Sequence, residues 1–219
     1  MTGRRDATRI VLLPGAFTNA GDFATAGFAD AVHARGLDID IVFSDLELTS
    51  VTDRSLLARL REGPIRAARA AGYGRVWLAG VSLGAFVALV LAEEFPGEVD
   101  GLCLIAPYLG TRIVSGEIAR AGGLERWRPM TGLGDDEERR VWALLRDRSR
   151  RRPPIHLGYG RDDRFADSQA LLAAVLPPGS VDVVDGTHDW PTWRTLWDRF
   201  LDRWPLRAGA APAVLAGRP

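Results

Sequence analysis

Lysine is absent from this 219-residue chain: all 28 basic residues are arginine, matched by 28 aspartates and glutamates. With abundant alanine and glycine, that skew reflects genomic base composition rather than function. The charges cancel and the isoelectric point is about 6.8, so neither a nucleic acid nor an anionic membrane is an expected partner. Cysteine is nearly missing too. The single Cys103 lies inside the apolar run VDGLCLIAP, where it reads as a buried core thiol with no partner for an internal disulfide. No apolar run approaches the roughly 18 residues of a membrane span, and no charged start leads into a secretory apolar core. The cytoplasm is therefore the default location. No cluster has metal-ligand spacing, so neither a metal nor an organic cofactor is expected.

What is present is an ordinary globular composition, 47% hydrophobic and 26% charged, at a length that suits one domain with a sizeable core. Short apolar runs, expected as strands at 9–13, 38–43, 75–79, 99–106, 154–158 and 180–184, alternate with helical patterns. The helices are expected at 23–35, at 53–71 with an interruption at Gly63-Pro64, at 83–95 and at 166–176. In a last helix, Trp193, Leu196, Trp197, Phe200, Leu201 and Trp204 share one face, and Pro191 suits its first turn. The alternation predicts an α/β fold: a mostly parallel sheet of about six strands, helices on both faces, and a ligand site at the carboxyl ends of the strands.

One interval breaks the rhythm. Residues 111–152, with LERWRPM and the helical DDEERRVWALLRDRS, read as a small cap insertion within a single domain spanning 1–205. The run Arg150-Arg151-Arg152 suits a solvated helix end, where cations oppose the helix dipole. Residues 206–219, rich in Ala, Gly and Pro, read as a flexible tail.

The stretch LAGVSLGAF places Ser82 between Gly80 and Gly84, where a strand pattern becomes a helix pattern. A sharp strand–turn–helix junction crowds its neighbours, glycines two positions away relieve the crowding, and the central hydroxyl is presented at the rim of the sheet. A serine hydroxyl needs a base. Only His33, His156 and His188 are available, and His188 alone lies in a loop after a strand, in DGTHDWP. His156, within the strand PIHLG, is the fallback. A carboxylate must fix the base, and GYGRDDRFADS offers Asp162 and Asp163, which an extended backbone would aim in different directions. Asp185 and Asp189, beside His188, read as loop and helix-start residues. For the oxyanion of acyl transfer, the donors expected are the Leu83 amide at the start of the buried helix and the Ala16 amide, or that of Phe17, in LPGAFTNAGDF.

Together GVSLG, LLPGAF, GYGRDDRF and DGTHDWPTW resemble the α/β-hydrolase family, in that family's order of serine, acid and histidine, across residues 9–204; the likeness is to small bacterial esterase-like members with a short cap. The resemblance implies a triad of Ser82, Asp163 and His188, with Asp163 preferred to Asp162 because members often place the acid three residues after a glycine, here Gly160. Two departures stand out: Pro14-Gly15 replaces the His-Gly of many members, and the chain starts at the oxyanion-loop strand without the extra amino-terminal strands of larger members. The implied function is hydrolysis of a small-molecule carboxylic ester. A thioesterase or acyltransferase would use the same triad, and a non-catalytic small-molecule-binding relative is the alternative of another class. Phe17, Tyr108, Leu109, Trp127 and Trp190 are candidates for an apolar substrate pocket, with core or cap packing as the alternative for each.

Overall fold

The computed structural model describes residues 6–44, 54–129, 132–147 and 152–204. Its six strands are β1 (Thr8–Leu13), β2 (Ile39–Phe43), β3 (Arg75–Val81), β4 (Gly101–Ile105), β5 (Ile155–Gly160) and β6 (Val181–Val184). They form one sheet in the order β2-β1-β3-β4-β5-β6, and every pairing is parallel. The helices are α1 (Ala20–Thr25), α2 (Phe28–Ala34), α3 (Arg54–Leu60), α4 (Arg66–Ala70), α5 (Leu83–Glu94), α6 (Arg112–Arg120), α7 (Glu137–Arg146), α8 (Ala166–Ala173) and α9 (Trp190–Asp202).

The four central strands, β1, β3, β4 and β5, are buried on both faces, which is why they read as continuous apolar runs rather than alternating ones. Val11, Leu13, Leu78, Leu102, Leu104 and Leu157 face a layer built by α3 to α8. Ile10, Leu12, Trp77, Ala79, Cys103 and Ile105 face α1, α2 and α9. On α9, Trp193, Leu196, Trp197, Phe200 and Leu201 are buried, each contributing roughly 1.5–3 kcal/mol of transfer free energy. Helix α5 is apolar all round, and every residue from Gly84 to Ala92 is buried beneath its neighbours. Burial also pushes the Cys103 thiol well above its usual range, so it stays a neutral core group.

One helical expectation needs correction. The pattern over 23–35 is two helices, because Gly27 turns left-handed (φ +73°) and redirects the chain so that Phe23 and Phe28 meet edge to face at 5.0 Å. Asn19 starts the first with a reciprocal cap: its side chain accepts from Gly21 N–H and its own N–H donates to Asp22. At Gly63-Pro64 the α-helix is interrupted as expected, though the chain stays helical across the break. A π-helical turn, Arg61–Ile65, carries Pro64 between α3 and α4, the wider turn accommodating a residue that lacks an N–H.

The segment after β4 packs against the α5 side of the sheet. Arg140 of α7 bridges Glu93 and Glu94 of α5, and the Trp142 indole N–H donates to Leu109 O at 2.9 Å. Arg152 donates to Leu145 O in the last turn of α7, while Arg150, Arg151 and residues 206–219 lie outside the described residues. Because all six strands run the same way, the segments following β1, β3, β5 and β6 emerge at one edge. The chain steps from β1 outward to β2 and then back across to β3, making a switch point between β1 and β3.

Candidate active site

Strand β3 hands the chain to α5 through a single residue, Ser82, held at φ +52° and ψ −113°. Such a backbone costs a non-glycine residue about 1–3 kcal/mol and persists only where its surroundings enforce it. The two neighbouring glycines explain how. A Cβ on Gly80 would lie 2.4 Å from the Gly84 carbonyl carbon, and a Cβ on Gly84 would lie 2.3 Å from Pro14 O. Only bare backbone lets α5 begin this close to β3 and to the end of β1. Two further bonds pin the serine: Ser82 N–H donates to Ile105 O at 3.0 Å, and Tyr108 N–H donates to Ser82 O at 3.1 Å.

The Ser82 hydroxyl lies 2.9 Å from His188 Nε2, and His188 Nδ1 lies 2.8 Å from Asp163 Oδ2. With the Nδ1 proton donated to the carboxylate, Nε2 is left to accept the serine proton. The other carboxylate oxygen, Asp163 Oδ1, accepts Phe165 N–H at 2.8 Å, so both oxygens are engaged and the side chain is 0% exposed. Asp162 points its side chain to solvent, while its N–H donates to Gly186 O. The imidazole is held edge-on between two rings, Phe165 and Trp193, each with its centroid 5.1 Å away.

The histidine loop is built by its own short-range bonds. Asp189 caps α9 by accepting Thr192 N–H at 3.0 Å and also accepts the Thr187 hydroxyl at 2.8 Å. Thr192 Oγ1 in turn accepts Thr187 N–H at 3.1 Å. These bonds, the ones from Thr192 foremost, hold the Asp189 carboxyl below its usual range. Asp185 pairs with Arg161 at the exposed surface. Gly160, at the end of β5, lies so close to this loop that a Cβ there would sit 2.3 Å from Gly186 O. The acid turn and the histidine loop are thus packed backbone to backbone.

After β1, Gly15 lies against the serine; a Cβ there would be 3.3 Å from Ser82 Cβ. Ala16 and Phe17 form the following turn, and Leu83 opens α5, where the first amides of a helix have no intrahelical acceptor. Tyr108 is half-buried between Phe86 and Phe165, and its hydroxyl donates to Glu138 of α7 at 3.3 Å. Burial and the Glu138 carboxylate raise its pKa. Leu109 and Trp127 are packed into the core on the α5 side, Trp190 joins an aromatic cluster with Phe23, Phe28 and Trp193, and Phe17 is fully exposed.

His33 is on the exposed side of α2. His156, second in β5, lies toward the amino-terminal end of its strand and is buried; its Nε2 is 3.2 Å from Asp182 Oδ2 without hydrogen-bond alignment. Sequence reasoning gives no site role to Phe165, Thr187 or Thr192, and marks Trp193 only as part of the apolar face of the last helix. The Asp189-to-Thr192 spacing is a helix-start signal that could have marked Thr192; the ring contacts carry no local signal. Among the described residues no group of three or more His, Cys, Asp or Glu is arranged to hold a metal ion, and no helix is long and apolar enough to cross a membrane.

Residues 10–219 match the family model described as the alpha/beta hydrolase family. The chain belongs to that family. No curated protein matches it in sequence. Solved structures are similar in fold. FphF, a fluorophosphonate-binding serine hydrolase of Staphylococcus aureus, superposes with a TM-score of 0.65 at 10% identity, over 89% of this chain and 82% of its own. The alpha/beta hydrolase MGS-MChE2, from the metagenome of Mar Chica lagoon sediments, gives a TM-score of 0.59 at 20% identity over 90% of both chains. An S-formylglutathione hydrolase from Agrobacterium tumefaciens gives 0.59 at 14% identity, over 90% of this chain and 82% of its own. At these identities the likeness is one of fold.

Proposed function

We propose that the protein is a serine hydrolase that cleaves a carboxylic ester of a small or medium-sized molecule through an acyl-enzyme on Ser82. The observation that carries this reading is the unbroken relay from Ser82 Oγ to His188 Nε2 at 2.9 Å and from His188 Nδ1 to Asp163 Oδ2 at 2.8 Å. His188 takes the Ser82 proton as Oγ attacks the ester carbonyl. Asp163 keeps the imidazole in the right tautomer and stabilises it once charged, without itself taking the proton. The Leu83 and Ala16 amides receive the developing oxyanion, the former aided by the positive end of α5. His188 then protonates the leaving alkoxide. Water, deprotonated by the same imidazole, attacks the acyl-enzyme, and Ser82 is returned. The balance needs no metal and no organic cofactor.

Residues 111–152 serve as the cap in this reading, tied to the site through Glu138 and Tyr108. A cytoplasmic location accords with the lone, buried Cys103. The test is turnover of p-nitrophenyl and thioester substrates by the wild type and by Ser82→Ala. Ester cleavage abolished in Ser82→Ala is the expected result. A folded wild type that turns over neither substrate class would overturn the reading, and preference for the thioester would shift it to a thioesterase.

A further inference from the structure

Residues Gly15–Thr18 form a tight turn in which Thr18 N–H and Thr18 Oγ1 both donate to Gly15 O, at 3.4 and 3.1 Å. Phe17 occupies its third position at φ +61°. A type II turn demands a positive φ there, and glycine or asparagine is the residue that meets the demand without crowding. A bulky aromatic at such a φ is an outlier, and here the residue is also fully exposed. The other exposed large hydrophobics among the described residues, Ile113 at 65% and Val183 at 39%, are partly covered and have ordinary backbones. Nor is the loop short of places to bury a ring: Phe23, six residues on, is 0% exposed against Phe28, Phe43 and Trp190.

The location narrows what covers Phe17. Gly15, two residues earlier, packs on Ser82, and the adjoining Ala16 amide is one of the proposed oxyanion donors. Phe17 therefore stands on the same four-residue turn as the backbone that packs on Ser82. We infer that Phe17 is a specificity-determining residue, and that the substrate carries an apolar chain beside its ester carbonyl which closes over the exposed ring. This rests on the esterase reading above and adds the substrate class to it. The apolar chain belongs to either the acyl or the alkoxy side of the ester, and the two are separable by experiment.

Wild type, Phe17→Asn and Phe17→Gly are compared on p-nitrophenyl acetate, butyrate and hexanoate, and on the acetates of ethanol, butanol and hexanol. Both replacements suit the turn's positive φ, so thermal melting should show intact folds. Because a buried methylene is worth about fourfold in affinity, kcat/KM in the wild type should rise about tenfold or more from the shortest to the longest member of one series. In both variants that long-to-short ratio should fall about tenfold in the same series, identifying the side that meets Phe17. A ratio unchanged by either replacement in both series, whatever happens to absolute rates, would overturn the inference while leaving the esterase reading intact. Wild type inactive on every ester would remove the esterase reading and the inference with it.

Discussion

The protein holds two histidine–aspartate pairs on the same two strands and their exits, and they differ in almost every respect that matters for chemistry. His188 and Asp163 follow β6 and β5 at the carboxyl edge, align at 2.8 Å and meet a serine hydroxyl. His156 and Asp182 lie within β5 and β6 near the opposite edge, 3.2 Å apart and misaligned, beneath α9. Neighbours of the lower pair are Cys103, opposite His156 in the β4–β5 register; the Phe200 ring; and Arg203, which binds Asp182 at 2.7 Å. Burial there lowers the His156 pKa, only partly opposed by the Asp182 charge. The same residue types therefore sit in two settings. Where strands end, loops bring an imidazole to a serine hydroxyl; within the sheet, side-chain directions are set by the pleat.

The sharpest way to break this comparison is to substitute the two aspartates alike. Asp163→Asn should lower kcat about 10⁴-fold by favouring the wrong imidazole tautomer. Asp182→Asn should leave kcat within about threefold, because nothing in that pair touches the serine; equal losses in steady-state assays would erase the distinction. A smaller effect is expected from the loop that aims His188. Asp189→Ala should cost about 1 kcal/mol in urea denaturation by removing the α9 cap, and Asp189→Asn, which can still cap, much less. Since the folded carboxyl lies below its ordinary value of 3.8, this contribution is present above that pH and is lost as pH falls through the folded value.

The smallest predicted effect is a slope. His156 has a folded pKa below its ordinary value of 6.5, so the unfolded chain binds the extra proton first and stability declines as pH falls below 6.5. His156→Gln should flatten that part of the curve in denaturation midpoints taken at pH 5 and 7.5, with little change in ester turnover. An unchanged slope would mean that other groups set it.

Much of this was legible in advance for physical reasons. Parallel strands buried on both faces announce themselves as apolar runs, and Gly80 and Gly84 mark the elbow because backbone packs directly on backbone there. The order of the loops follows from parallel topology, and it leads to the three side chains that the fold brings together. Other features depend on contacts distant in sequence. Nothing local distinguishes Phe165 and Trp193 as the rings that flank His188, and the route of Pro64 through a π turn depends on a helix continuing past it. Leu109 and Trp127 carry the same apolar signal whether they line a pocket or fill a core, and tertiary packing places both in the core.

The most direct test is intact-mass analysis after treatment with an alkyl fluorophosphonate, applied to wild type, Ser82→Ala, His188→Ala and His156→Gln. One adduct mapped to Ser82 is expected in the wild type and in His156→Gln, with none in Ser82→Ala and labelling slowed at least about 100-fold in His188→Ala. Labelling that is indifferent to His188, or that depends on His156 in its place, would contradict the assignment of the base and, with it, the contrast between the two pairs.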